Sequence, residues 1–544
     1  MLWKVIQSIV RGPLPTVKGI KSTILSILSG VLLALPFCDG RLWIFSWIGF
    51  LPLFFALQNK KGLSAFFLSY LAGVVFWSIT IYWLIHVTLL GQILLILYLS
   101  LYFGIFGLLV SKLLTIDYRL STLLFIPSLW VVLEYLRAHL LTGFGWALLG
   151  YSQYLNLPII QIADLFGVYG VSFLVVMANL AVYSAFAADG GTPPVGGGSL
   201  QPSAFSKIRK CLVFVLSFSM ILVYGYYQLS RQPTAAWAIG GPTTAFWPAE
   251  SRQLFKVSVI QGNIPQELKW APGSQAFILD RYIRLTKEAA LAKPDLIIWP
   301  EASNPGFLGD ESDARINENI FNLAKEIKIP LLVGSVVKEK REYFNSALLI
   351  NEFGLVGRYD KLHLVPFGEY IPLKGAFKFL ENIVPIGEFT PGREYVVFKP
   401  PATDYKPLAN FSALICFEDT LPELSREFAG KGADFLVNIT NDAWFKETAS
   451  PYQHLAASVF RAVENRLPLA RSANTGVSCF IDSRGRIISR LIQNGKDIFV
   501  SGIKTQDIVL NPKPRSLYQN IGDSFVAGCF ALMCFYGIIK NHKP

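Results

Sequence analysis

Leu414-Ile415-Cys416-Phe417-Glu418-Asp419 is an apolar strand that closes on a thiol with two carboxylates just beyond it. Two other stretches upstream stand out beside it. Leu296-Ile297-Ile298-Trp299-Pro300-Glu301 is a buried strand ending in proline and then a carboxylate. Tyr359-Asp360-Lys361-Leu362-His363-Leu364-Val365-Pro366-Phe367-Gly368-Glu369-Tyr370 sets one lysine in a mostly uncharged run that closes on a turn. In layered α/β domains functional side chains gather where strands run out into loops. Each stretch alone has a plain reading: a solvated Glu, a surface Lys, a small buried Cys. Together they supply a nucleophile, a base for its proton and a cation for an oxyanion, which is what thiol acyl transfer needs.

Outward from these stretches, residues 251–510 alternate short β-branched runs with helical stretches. Strands are expected at 256–262, 295–300, 330–337, 345–351, 411–417, 434–440 and 476–482. Helices are expected at 274–292, 312–327, 421–430 and 452–466, with Pro422 suited to a first turn. That alternation predicts an α/β layered domain. Residues 231–250 read as a linker into it.

The rest of the chain is different in kind. The 544 residues are 52% hydrophobic and 16% charged, against about 25% charged in soluble domains. The apolar residues crowd into 1–230 and 521–540. Spans of bilayer length are expected near 22–38, 42–58, 64–86, 89–112, 121–141, 164–187, 210–229 and 521–540. The reading is therefore an α-helical membrane bundle of about eight helices, seven in 1–230 and one in 521–540, joined to the α/β domain.

The net charge of +12 does not point to nucleic acid, because the lysines and arginines sit between apolar runs rather than in a stripe. Lys4, Arg11, Lys18 and Lys21 precede the first span, and Lys60 and Lys61 follow the second. Lys112 and Arg119 lie between the fourth and fifth spans, and Lys207, Arg209 and Lys210 precede the seventh. Lys540 and Lys543 follow the eighth. Alternating helices put all of these on one side, which the positive-inside rule makes cytoplasmic. Both termini are then cytoplasmic and 251–510 lies outside. Six scattered cysteines make no disulfide framework.

Trp-Pro-Glu, then Asp-Lys-x-x-Leu-Val-Pro-Phe-Gly-Glu-Tyr, then Ile-Cys-Phe-Glu, in this order, resembles the nitrilase superfamily. The resemblance implies an αββα sandwich and a Glu–Lys–Cys triad of Glu301, Lys361 and Cys416. With the apolar spans added, nearly the full chain resembles the apolipoprotein N-acyltransferases of Gram-negative-type bacteria. Gln261-Gly262-Asn263-Ile264-Pro265-Gln266 with Trp270, Asn438-Ile439-Thr440-Asn441-Asp442-Ala443-Trp444-Phe445, Gln453-His454 and Arg471-Ser472-Ala473-Asn474-Thr475-Gly476 also match. So do Glu134-Tyr135-Leu136-Arg137 and Leu141-Thr142-Gly143-Phe144-Gly145-Trp146. Phe417 stands where family members commonly carry Tyr, Lys446 where Gly is usual, and Gly145 where Pro is usual.

The resemblance implies a bacterial inner-membrane enzyme, monomeric, with its catalytic domain in the periplasm. It would move an acyl chain from a phospholipid, through a thioester on Cys416, to the α-amine of an S-diacylglyceryl-cysteine on an apolipoprotein. Glu369 would orient Lys361, Glu418 and the Phe417 backbone N–H would support the site, and Trp270 would line the acyl pocket. Neither a metal nor an organic cofactor is expected. The apolar stretch 371–392, with Phe377 and Phe379, is expected to meet lipid. A membrane-anchored amidase releasing the acyl group to water is the competing enzyme reading.

Overall fold

The computed structural model describes residues 18–114, 120–186, 204–231, 253–269, 271–370, 388–400, 409–510 and 516–541. Trp270 and 371–387, with Phe377 and Phe379, lie outside the described residues. The chain forms two compact units. One gathers 1–137, 172–220 and 526–544, and the other 138–171 and 221–525.

The first unit is helical. It contains α1 (Lys18–Cys38), α2 (Leu51–Leu57), α3 (Leu63–Thr80), α4 (Leu89–Leu114) and most of α5 (Leu120–His139). Parts of three further helices belong to it, from α7 (Ala163–Phe186), α8 (Ala204–Ser230) and α15 (Ser524–Asn541). Among the described residues, six helical stretches are long and apolar enough to cross a membrane. Leu120–His139 is not among them, and Ser524–Phe535 is shorter. The span expected at 42–58 is not one helix. A 3₁₀ turn over Gly40–Trp47 gives way to α2, which carries Pro52 in its first turn. Asn179 on α7 meets the backbone this break exposes: its amide donates to the Ser46 carbonyl (2.8 Å) and its oxygen accepts from Phe50 N–H (2.9 Å). Lipid offers backbone groups no partner, so an internal amide must. Trp130 packs edge-on against Phe50, Phe103 and Phe106. A Cβ on Gly107 would lie 1.8 Å from Ser69 Oγ, so only a glycine lets α3 and α4 approach this closely.

The second unit is built on two sheets. The first holds β1 (Gln253–Gln261), β2 (Leu296–Ile298), β3 (Phe307–Leu308), β4 (Leu331–Glu339), β5 (Glu342–Asn351), β6 (Gly354–Asp360) and β12 (Gly502–Leu510). Its order is β12-β1-β2-β4-β5-β6, with β3 beside β4. The second holds β7 (Phe411–Ile415), β8 (Phe435–Thr440), β9 (Leu469–Ala473), β10 (Cys479–Ile481) and β11 (Ile487–Arg490), in the order β11-β10-β9-β8-β7. The pairs β1–β2, β2–β4, β7–β8 and β8–β9 are parallel. β1 faces β9 across the sandwich, and Ser472 on β9 donates to the carbonyl of Ile260 at 2.8 Å.

Helices α10 (Gln275–Ala290) and α11 (Ala314–Ile327) cover the first sheet, and α13 (Ser450–Asn465) covers the second beside α12 (Pro422–Gly430). This is an αββα sandwich. Trp299 stacks on Tyr282 of α10 at 4.8 Å and donates from Nε1 to Thr286 (2.9 Å). Its ring is core, and the residue two positions on is set free at the strand end.

The sequence reading missed β3, β6, β9, β11 and β12, whose central residues are polar, half-buried or exposed except in β9. The fully buried β9 hides behind Arg471, a residue that hydropathy places outside.

Candidate active site

Three strand ends deliver the expected groups to one place. Glu301 follows β2. Its backbone turns over Gly334 of β4, where a Cβ would lie 2.2 Å from the Pro300 carbonyl and 2.7 Å from Glu301 Cα. Lys361 follows β6 and is fully buried, at 1% exposure. Cys416 follows β7 in a left-handed backbone conformation, φ 53°. A β-carbon residue in that region is strained, and such strain persists only where the surroundings hold it.

Lys361 Nζ meets Glu369 at 2.8 Å and Glu301 Oε1 at 3.6 Å. Asn345 on β5, which sequence reasoning missed, donates from one amide to both carboxylates, Glu301 Oε1 at 2.8 Å and Glu369 Oε1 at 2.7 Å. The backbone carbonyl of Asn345 accepts from Lys361 N–H at 2.8 Å. Glu369 is further fixed by Val365 N–H at 2.7 Å. Burial works against the Lys361 ammonium, but Glu369 and Glu301 outweigh it and hold the amine well above its ordinary range. Lys361 is thus a fixed cation. Burial pushes the Cys416 thiol up, Glu301 adds to that, and Lys361 pulls it back. The resting sulfur is a thiol.

Glu418 lies beneath the loops. Its carboxylate accepts from Ile415 N–H (2.7 Å), Leu362 N–H (2.8 Å), His363 N–H (3.1 Å) and the Tyr359 hydroxyl (2.9 Å). One side chain so ties the residue before Cys416 to the two after Lys361. Burial pushes its carboxyl up to about 7 against those donors. Phe417, next in the chain after Cys416, is the second residue of the short 3₁₀ turn Cys416–Thr420.

Two histidines lie near these loops, and among the described residues neither ring has a recorded hydrogen bond to the Cys416 sulfur. The backbone N–H of His363 serves Glu418. His454 on α13 points Nε2 at the backbone carbonyl of Cys416 (3.2 Å), close also to Asp419 Oδ1 (2.9 Å), and its Nδ1 meets Asp442 (2.9 Å). Arg471 bonds both aspartates and Asn438 Oδ1 (2.6 Å). Asn438 in turn donates to the Cys416 carbonyl at 3.1 Å. Burial lowers the His454 pKa, but the aspartates raise it more, to about 9, so the ring is an imidazolium at neutral pH. His454 and Arg471 against Asp419 and Asp442 make a balanced floor of charge under the cysteine. Sequence motifs flagged its members but not their assembly. Cys479, in β10, is a free and fully buried thiol. No group of metal-ligand side chains occurs among the described residues.

An apolar helical unit joined to a two-sheet sandwich, with a buried Glu–Lys–Glu cluster around a half-buried cysteine, defines a membrane-bound protein of the carbon–nitrogen hydrolase type. The matching family profiles agree, "Apolipoprotein N-acyltransferase N-terminal domain" over residues 29–181 and "Carbon-nitrogen hydrolase" over residues 256–511. An apolipoprotein N-acyltransferase of Geobacter metallireducens is 38% identical over 526 residues, 93% of each chain. One of Pasteurella multocida is 29% identical over 494 residues, 88% of each chain. Among solved structures, Saccharomyces cerevisiae Nit3, of the nitrilase superfamily, is 19% identical with a TM-score of 0.35, covering 49% of this chain and 93% of its own. The chain belongs to the apolipoprotein N-acyltransferase family, whose activity is acyl transfer in lipoprotein maturation.

Proposed function

We propose that Glu301, Lys361 and Cys416 carry out this transfer in two halves through a thioester. Glu301 takes the proton of the Cys416 thiol, and the sulfur attacks an ester carbonyl of a phospholipid. Lys361 and the Phe417 N–H balance the oxyanion. The C–O bond breaks, and the departing lysophospholipid oxygen receives the proton held by Glu301. The α-amine of an S-diacylglyceryl-cysteine then attacks the thioester and gives a proton to Glu301. The C–S bond breaks and the proton returns to sulfur, leaving an amide. Two halves joined by one covalent intermediate predict ping-pong kinetics.

The observation that carries this reading is the pairing of Lys361 with both Glu369 and Glu301 (2.8 and 3.6 Å) at strand ends beside the cysteine. Residues 251–510 form the catalytic domain, and its place is the outer, periplasmic side of the inner membrane, where both lipid-bearing substrates are in reach. The positive charges between the apolar spans support that orientation. Glu369 orients Lys361, and Glu418 holds the Cys416 and Lys361 loops together.

The test is mass spectrometry of the full chain incubated with phospholipid. One acyl chain on the Cys416 peptide, absent from Cys416→Ala, is expected. Addition of a diacylated lipopeptide then discharges the adduct into a triacylated product. An unmodified Cys416, or discharge to water alone, overturns the reading.

A further inference from the structure

Lys269 is a buried lysine that the two-step reaction leaves without a role. It ends α9 (Gln266–Lys269) in the loop after β1 and is 6% exposed. Its Nζ donates to the backbone carbonyl of Glu301 at 3.1 Å. Among the described residues, this is the hydrogen bond recorded for an ammonium that has three to give. Beside it is a small cavity lined by Ile264, Tyr282, Ser303, Pro305 and Asn474.

The loop that delivers this lysine is firmly held. Asn474, after β9, accepts from Ile264 N–H (2.9 Å) and donates to the Ile264 carbonyl (2.8 Å). Asn441, after β8, donates to Gln266 at 2.9 Å. Both asparagines belong to loops of the second sheet, so that sheet fixes where a first-sheet loop puts its cation.

A lysine is costly to bury unless negative charge offsets the lost water. One peptide carbonyl is a weak offset, and a Met or Leu would fill the space at no such cost. The charges that favour the Lys269 ammonium are Glu301 and Cys416, both reacting groups of the proposed site. Charge balance gives the reason. Glu301, Glu369, Lys361 and a thiol at Cys416 sum to one negative charge. Proton transfer from Cys416 to Glu301 keeps that sum while moving charge onto sulfur. One more cation makes the set neutral.

We propose that Lys269 is a second cation of the acyl-transfer site, a positioning residue that anchors the Glu301 backbone and favours charge on the Cys416 sulfur. The proposal rests on Cys416 being the acyl acceptor, but its test does not. The groups whose charge or hydrogen bonding acts on the Cys416 thiol are Glu301, Lys361, Asp442 and the Thr440 hydroxyl, and those whose charge acts on Lys269 are Glu301 and Cys416.

The test is alkylation of Cys416 by iodoacetamide in the detergent-solubilised full chain, read on the Cys416 peptide by mass spectrometry from about pH 6 to about pH 10. Lys269→Met is expected to slow alkylation about tenfold at neutral pH, where the thiolate is the minor form, and Lys269→Arg to restore the rate within about threefold. An unchanged neutral-pH rate in Lys269→Met, or an arginine variant as slow as the methionine one, overturns the proposal. Should Lys269→Met fail to fold, Lys269→Arg alone decides. Burial lowers the lysine's pKa to about 8, whereas arginine stays charged, so above about pH 8 the arginine variant's Cys416 reacts faster than the wild type's. Equal rates there overturn the proposal. Acyl-adduct formation on the same wild-type preparation reports on the thioester separately.

Discussion

Gly334 has no reactive atom, yet the position of Glu301 depends on it. With the Pro300 carbonyl 2.2 Å from where a Cβ would stand, Gly334→Ala must push the Pro300–Glu301 backbone off β4. Overpacking of this kind costs about 1–3 kcal/mol. Loss of acylation should exceed what that instability explains, because a reacting group displaced by about 1 Å loses roughly 100-fold. Adduct formation on Cys416, measured beside the thermal midpoint, checks this, and an alanine variant that acylates normally would remove Glu301 as the base. His454 makes a prediction in pH. Its folded pKa of about 9 lies above the ordinary value of about 6.5, so the stability it contributes is full below about 6.5 and lost as pH rises through 9. Glu418, moved up to about 7, has the same sign over the lower range. The unfolding midpoint should fall from about pH 6.5 to about pH 9, and His454→Gln should flatten that fall. An unchanged slope in that variant would mean that the ring is neutral. Glu301 and Cys416 stood out in the sequence because each closes an apolar strand, and Lys361 because it sits in a mostly uncharged stretch. Asn345, Gly334 and Lys269 gave no such signal: they act by lying on neighbouring strands and loops, and adjacency across a sheet is not written in sequence spacing.

At the scale of elements, the helices of the sandwich were legible because each has an apolar stripe at helical spacing, and α10 through α13 lie within a few residues of their expected bounds. Strands with one wet face and short strands with buried polar residues were not. Nor was the company that α13 keeps. Arg466, in the left-handed position that ends this helix, bonds Asp164 (2.5 Å) and the side chain and carbonyl of Gln161 (2.7 and 3.1 Å). Glu464 accepts from Val168 N–H at 2.9 Å, and Trp146 donates to Gln453 at 2.7 Å while its ring lies 5.2 Å from that of His454. The stretch 138–171, apolar enough to be read as bundle, is therefore part of the compact unit that holds the site. Arg466→Met would strand a buried Asp164, and breaking such a pair costs about 3–5 kcal/mol. Adding Asp164→Asn should recover part of the loss, since the remaining amide carries no charge. Thermal unfolding of the two single variants and the double variant forms the cycle. Strict additivity would show that the two residues do not depend on each other.

For the whole molecule, the proposed reaction stands or falls with orientation, because a site on the cytoplasmic side could not reach outer-leaflet substrates. The argument for orientation is electrostatic and independent of any motif. Lysines and arginines flanking apolar spans stay where the chain is made, and here every such cluster falls on one side when the helices alternate. The break between Trp47 and Leu51 tests that count, since a segment that turned back at Phe50 instead of crossing would invert everything after it. Asn179 argues for crossing: by bonding Ser46 and Phe50 it lets the segment continue through the break with its backbone satisfied. Two exposed positions read the outcome, Lys61 in the loop after α2 and Asn494 in the Gln493–Lys496 turn of the sandwich. With all six native cysteines replaced by serine, a cysteine at 494 should react with a membrane-impermeant maleimide in intact spheroplasts. A cysteine at 61 should react only after permeabilisation. Labelling of both from outside would mean that the chain turns back between them, and the reverse pattern would put Cys416 on the wrong side of the membrane for the proposed reaction.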